Sequence, residues 1–121
     1  MISTDRAPAP AGHYAQAVRA GGFVYVAGQV PRAPDGTYTP GDITAETDLV
    51  LRNLAAVAEA AGGGLGDVVK VTAYLTRTED FAEFDAEYAR HFGATRPART
   101  TVVAGLRSVL VEVDAVLYLP G

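Results

Sequence analysis

The chain has 121 residues, 49% of them hydrophobic and 20% charged, with a formal net charge of −4 at pH 7. That length is one domain, here residues 1–121, and that balance belongs to a globular chain rather than a disordered one. Having no cysteine excludes disulfides, thiolate nucleophiles and thiolate metal sites, and ten basic against fourteen acidic side chains make no general basic field for nucleic acid.

Residues 1–12 are rich in Pro, Ala and Gly and are expected to be extended. Met1 to Arg6 lacks the charged start and apolar core of a signal peptide, and no apolar run approaches a membrane span. The expectation is a cytoplasmic protein with no membrane partner. Tyr14 to Val18 reads as a strand, Arg19 to Gly22 as a turn and Phe23 to Ala27 as a second strand, which together make a hairpin. Pro31 to Gly41 is a loop punctuated by Pro and Gly.

A helix is predicted next. Asp42 is its N-cap, Glu46 sits in its early turns, and Val50, Leu54, Val57 and Ala61 share one face. Gly62-Gly63-Gly64 ends it; the run lacks the Lys-Ser/Thr of a phosphate loop and precedes a strand. Val68 to Thr76 reads as a strand in which Val69, Val71, Ala73 and Leu75 alternate with Lys70, Thr72, Tyr74 and Thr76. Thr78 is read as the cap of a second helix. Its Phe81, Phe84, Tyr88 and Phe92 fall at helical spacing as a core face, and Gly93 stops it. Two last strands run from about Arg99 to Ala104 and from Val109 to Leu119.

The order ββαβαββ with right-handed crossovers implies an α+β two-layer sandwich, a mixed sheet carrying both helices on one face. The other face displays Phe23 or Val24, depending on register. Two helices cannot cover both faces, so the bare face is expected to pack against other copies of the chain.

The stretch from Arg96 to Val102 places Arg99 at the mouth of a strand, and the stretch from Leu110 to Ala115 places Glu112 inside an apolar one. A charge in such a strand is costly unless paired. A guanidinium grips a planar carboxylate with parallel hydrogen bonds, and a nearby carboxylate positions or activates water. The pair points to a small site for a carboxylate-bearing substrate with water as co-reactant. Plainer readings stand beside this one. Arg99 also fits as the ion-pair partner of Glu112 or Asp114, those two as rim residues, and Tyr14 as a packing aromatic. Lys70 has the chemistry of a Schiff-base nucleophile but the strand position of a solvated charge. His13 and His91 lack metal-ligand spacing, so no metal is expected.

Read together, the segments Gly12-His13-Tyr14-Ala15-Gln16-Ala17, Val24 to Pro31, Asn53-Leu54, Val68 to Leu75, Pro97 to Val102 and Val111 to Ala115 resemble the Rid/YjgF family of reactive-intermediate imine deaminases, formerly the L-PSP endoribonuclease family. The likeness runs from about Gly12 to Leu117. It implies a chorismate-mutase-like fold and a homotrimer with sites at the subunit interfaces. It implies hydrolysis of 2-aminoacrylate and related imines to 2-keto acids and ammonia, without a cofactor. It further implies that Arg99 holds the substrate carboxylate, Glu112 lies near the attacking water and Tyr14 closes the pocket. Gly28 sits in a Gly-Gln motif beside them, and Thr101 lines the site. The chain departs from the family pattern at Ala27, where serine is usual, and at Asp85, where asparagine is usual. His13 replaces a common proline, and the segment Gly105 to Val109 is short. Rival readings are a non-catalytic trimer that binds a metabolite carboxylate, a ribonuclease, and a specialised-pathway hydrolase with a reshaped pocket. An acidic chain without a His pair is poorly equipped for the second of these.

Overall fold

In a computed structural model, which describes residues 1–120, the chain forms five strands and two long helices. β1 (Ala17–Ala20) and β2 (Phe23–Gln29) form the hairpin; α1 (Ile43–Ala60) follows, then β3 (Val68–Leu75), α2 (Phe81–Phe92), β4 (Ala98–Val103) and β5 (Val111–Tyr118). The sheet order is β1-β2-β5-β3-β4, with β3 and β4 parallel and every other pair antiparallel. This is the expected α+β mixed sheet.

Local chemistry sets the ends of α1. The Asp42 carboxylate accepts the Ala45 N–H at 2.8 Å, a cap worth about 1 kcal/mol. At the other end Gly62 takes φ +96°, and the N–H groups of Gly63 and Gly62 return to the carbonyls of Ala58 and Glu59. That is a Schellman closure, which needs a residue free to adopt the left-handed region.

Alternation sorts the sheet into two faces. Val24 and Val26 of β2, Val71, Ala73 and Leu75 of β3, and Val111, Val113, Ala115 and Leu117 of β5 are all buried beneath Val50, Leu54 and Val57 of α1 and Phe84 of α2. The register therefore puts Val24 inside and Phe23 outside. Phe23, Tyr25, Tyr118 and Val18 stay exposed on the face without helices.

Three local expectations are corrected. The first strand starts at Ala17, not Tyr14; residues before it run irregularly, tied by the Gln16 side chain, whose amide bonds Thr4 and Pro8. Val69 is exposed, because the β3–β5 register shifts between Val68 and Lys70 and takes it out of the alternation. Thr78 makes no side-chain cap: residues Thr78–Asp80 form a 3₁₀ turn, and Asp80 pairs with Arg77 instead.

The two helices are joined by an ion-pair network. Arg90 donates to Glu87 and Asp48, and the His91 ring lies 2.9 Å from Asp48 and 3.0 Å from Glu87. Asp48, Glu87 and His91 have ligand atoms close enough for a metal ion, a proximity that sequence spacing did not reveal. The Arg90 guanidinium already engages both carboxylates, so the donor set serves as a salt-bridged clamp. Arg90, and then His91, hold the Glu87 carboxyl down at about 2 against burial, from an ordinary 4.5. A depressed carboxyl stabilises the fold above its unfolded pKa and loses that contribution as pH falls through the folded one. In urea titrations, the wild-type advantage over Glu87→Gln is expected at pH 7 and should shrink between about 4.5 and about 2; a gap unchanged by acid would refute the clamp.

Candidate functional site

Arg99 closes a row of neighbours across the sheet. Ala17, Val26, Ala115, Val71 and Arg99 are register partners, strand by strand, on the helix-covered face. The first four are buried apolar residues; Arg99 stands at the sheet edge, where the row runs out from under α1 and meets α2. Its guanidinium carbon lies 4.5 Å from the Tyr88 ring centroid, 5.4 Å from that of Phe84 and 5.6 Å from that of Phe81. Cation–π contact with three rings favours holding the charge here, in a side chain left only 19% exposed. The aromatic face of α2 is thus more than core: Phe84, Tyr88 and Phe92 are buried, but Phe81 is 43% exposed, and three of the four rings cradle Arg99. A strand that follows its helix as a parallel crossover packs beneath that helix, which is the signal that links the two in sequence.

The partner of Arg99 is Asp85, at 2.8 Å from Nη1 to Oδ1, and not Glu112 or Asp114. Asp85 is half exposed, so the pair is worth at most about 1 kcal/mol. Both residues line a cavity of about 490 Å³ together with Tyr88, Phe92 and Arg96. The buried Tyr88 hydroxyl has no hydrogen-bond partner among the described residues, and burial pushes its pKa up against the opposing charge of Arg99. Thr101 lies two residues on, on the same sheet face, in register with Ala73.

Glu112 is on the opposite face. Its register partner is Tyr74, and the row continues to Val102. The Tyr74 hydroxyl donates to Asp114 Oδ2 at 2.9 Å, and that bond raises the tyrosine pKa. Glu112 itself has neither a hydrogen bond nor an ion pair among the described residues. Burial, and then the charge of Asp114, push its carboxyl up. Arg99 and Glu112 are therefore not brought together within one chain, because an even separation from a core-facing residue and an odd one end on different faces.

Gly28 belongs with Glu112. It lies in the irregular step of β2 between Val26 and Gln29, opposite β5. A Cβ there would overlap the Glu112 carboxylate and lie 3.2 Å from its Cγ. Tyr14 is exposed just before β1, its hydroxyl accepting the Ala11 N–H at 3.0 Å, and the Gln16 carbonyl two residues on accepts the Ala27 N–H beside Gly28. The six predicted residues thus fall into two groups: Arg99, Asp85 and Thr101 on the α2 side, and Glu112 and Gly28 on the bare face with Tyr14 nearby in the chain leading into β1. Gly28→Ala should fold but displace the Glu112 side chain, lowering any activity that depends on it; a variant of wild-type activity would show that the close approach is incidental.

Lys70 donates to Thr100 Oγ1 at 2.8 Å on the bare face. No helix is long and apolar enough to cross a membrane among the described residues.

Comparison with known proteins gives these arrangements a context. The chain is 46% identical to a RutC family protein of Pyrococcus horikoshii, over 98% of this chain and 96% of that one. It is 37% identical to TdcF of Escherichia coli, provisionally named a reactive intermediate deaminase, over 96% of this chain and 94% of that one. Among solved structures, RidA from an Antarctic Psychrobacter species superposes with a TM-score of 0.92 at 39% identity, covering 98% of each chain. TdcF of Escherichia coli with bound serine superposes at 0.91 and 33% identity, covering 98% of this chain and 97% of that one. The endoribonuclease L-PSP family model matches residues 4–119. The chain accordingly belongs to the Rid/YjgF family, known also by that endoribonuclease name.

Proposed function

We propose that the protein is an imine deaminase that hydrolyses 2-aminoacrylate-type 2-imino acids to 2-keto acids and ammonia. The observation that carries this reading is Arg99: a guanidinium packed against aromatic rings and lining a cavity of about 490 Å³, suited to a small carboxylate. The family membership and the provisional deaminase name of TdcF support the same class of chemistry.

In this reading Arg99 holds the substrate carboxylate. Water adds across the C=N bond, making a C–O bond and a carbinolamine; ammonia then leaves as the C–N bond breaks and the carbonyl forms. Glu112 takes the proton of the attacking water and passes it to the departing nitrogen. Tyr14, Gly28 and Thr101 shape the pocket, and the reaction as written balances without a cofactor.

Because Arg99 and Glu112 lie on opposite faces of one sheet, the reading requires a second copy of the chain. The α2-side group of one protomer would meet the Glu112 group of the next. The exposed Phe23, Tyr25 and Tyr118 offer the apolar surface for that association, in the homotrimer that the family likeness implies.

The test generates 2-iminopropionate with an amino-acid oxidase in the presence of semicarbazide, with sedimentation run alongside. A trimer that diverts the imine from semicarbazide to pyruvate is the expected result. A folded trimer that binds pyruvate but diverts nothing would favour a metabolite-binding protein instead.

A further inference from the structure

This inference rests on the deaminase reading and concerns how its cavity attracts substrate. Three charged side chains line that cavity: Asp85, Arg96 and Arg99. Asp85 and Arg99 are paired at 2.8 Å and neutralise each other. Arg96 is exposed, in the turn between α2 and β4, and makes no ion pair among the described residues. One protomer therefore contributes one net positive charge to the cavity, on Arg96; the Glu112 carboxylate that the deaminase reading brings from the next protomer is common to every variant compared below.

We propose that Arg96 recruits the substrate carboxylate to this cavity and shares it with Arg99, because Asp85 has taken up the charge that Arg99 alone would offer. The division of labour follows from the two environments. Arg99 is held by three rings and supplies fixed direction; Asp85 meets it through Nη1, and a guanidinium has five N–H donors in a planar fork. Arg96 reaches from the rim and supplies the field that draws an anion in. Pro97 stands between them and fixes its own φ, which limits the freedom of the turn that presents Arg96.

The experiment is a charge cycle on the full chain: wild type, Arg96→Gln, Asp85→Asn and the double variant, each assayed with 2-iminopropionate and titrated with pyruvate. The charge that one protomer contributes to the cavity is then +1, 0, +2 and +1. Arg96→Gln is expected to raise KM about three- to tenfold, with kcat moving less. Asp85→Asn should lower KM, and the double variant should return toward wild type. Added salt should raise the wild-type KM, with a flatter dependence in Arg96→Gln. Wild-type KM and salt dependence in Arg96→Gln, or no recovery in the double variant, would overturn the proposal. If the wild type turned over no imine, the deaminase reading would fail, while pyruvate affinity across the same four proteins would still decide the role of Arg96.

Discussion

Arg99→Ala is expected to abolish measurable diversion of 2-iminopropionate while leaving the fold intact. The loss has two sources. A charge-assisted contact to the substrate carboxylate is worth roughly 1.5–3 kcal/mol, or about 10- to 100-fold in binding. The same contact sets the angle at which the imine carbon meets water, and misplacement adds a further penalty in rate. Stability should fall modestly, because the pair with half-exposed Asp85 is screened but the guanidinium also packs against three rings of α2. Arg99→Lys is the sharper control. It keeps the charge but has no planar fork, so recruitment should partly survive while the rate does not. Full activity in Arg99→Ala, measured by the semicarbazide competition on a protein of native circular dichroism, would sink the proposed chemistry.

Glu112→Gln should lower kcat about 10²- to 10⁴-fold, the usual scale of acid–base help. Its pH behaviour is more diagnostic than its size. Within one protomer burial, then Asp114, raise the Glu112 carboxyl, and in the assembled site Arg99 of the next protomer opposes them, so the acid limb of kcat/KM sits where these effects balance. Asp114→Asn should move that limb down. Within its own chain the groups facing Glu112 are Asp114 on its own strand, Tyr74 across β3 and Gly28 across β2, with no pairing cation among the described residues; in the proposed assembly Arg99 of the next protomer faces it as well. Stability should run the other way. A folded pKa above the unfolded one stabilises the protonated protein, and that contribution is lost as pH rises through the folded value. In the separated protomer Glu112→Gln is therefore expected to be more stable than wild type at neutral pH, with the gap closing below the ordinary glutamate pKa. A variant that is slower and less stable at pH 7 would mean that Glu112 is a structural partner.

Much of the fold was legible because its signals are local. Asp42 announced the start of α1 through one side-chain acceptor, and the run from Gly62 to Gly64 announced its end through backbone freedom. The period of β5 separated Val111, Val113 and Ala115 from Glu112 and Asp114 before any partner strand was known. The errors fell where the pattern is broken by something non-local: a register shift at Val69, a 3₁₀ turn at Thr78, and a first strand shortened by the tie from Gln16 to residues 4–8.

The sequence by itself determined the residue types of the site, the α+β order and the family likeness. Each depends on chemistry or spacing carried along one chain. Only the tertiary structure decided who meets whom. It gave Arg99 to Asp85 rather than to Glu112, put three rings of α2 around its guanidinium, laid Gly28 against Glu112 and assembled Asp48, Glu87 and His91 from two helices. The physical reason is that contacts between distant residues are set by strand register and helix packing. A shift of one residue in either turns a side chain to the other face.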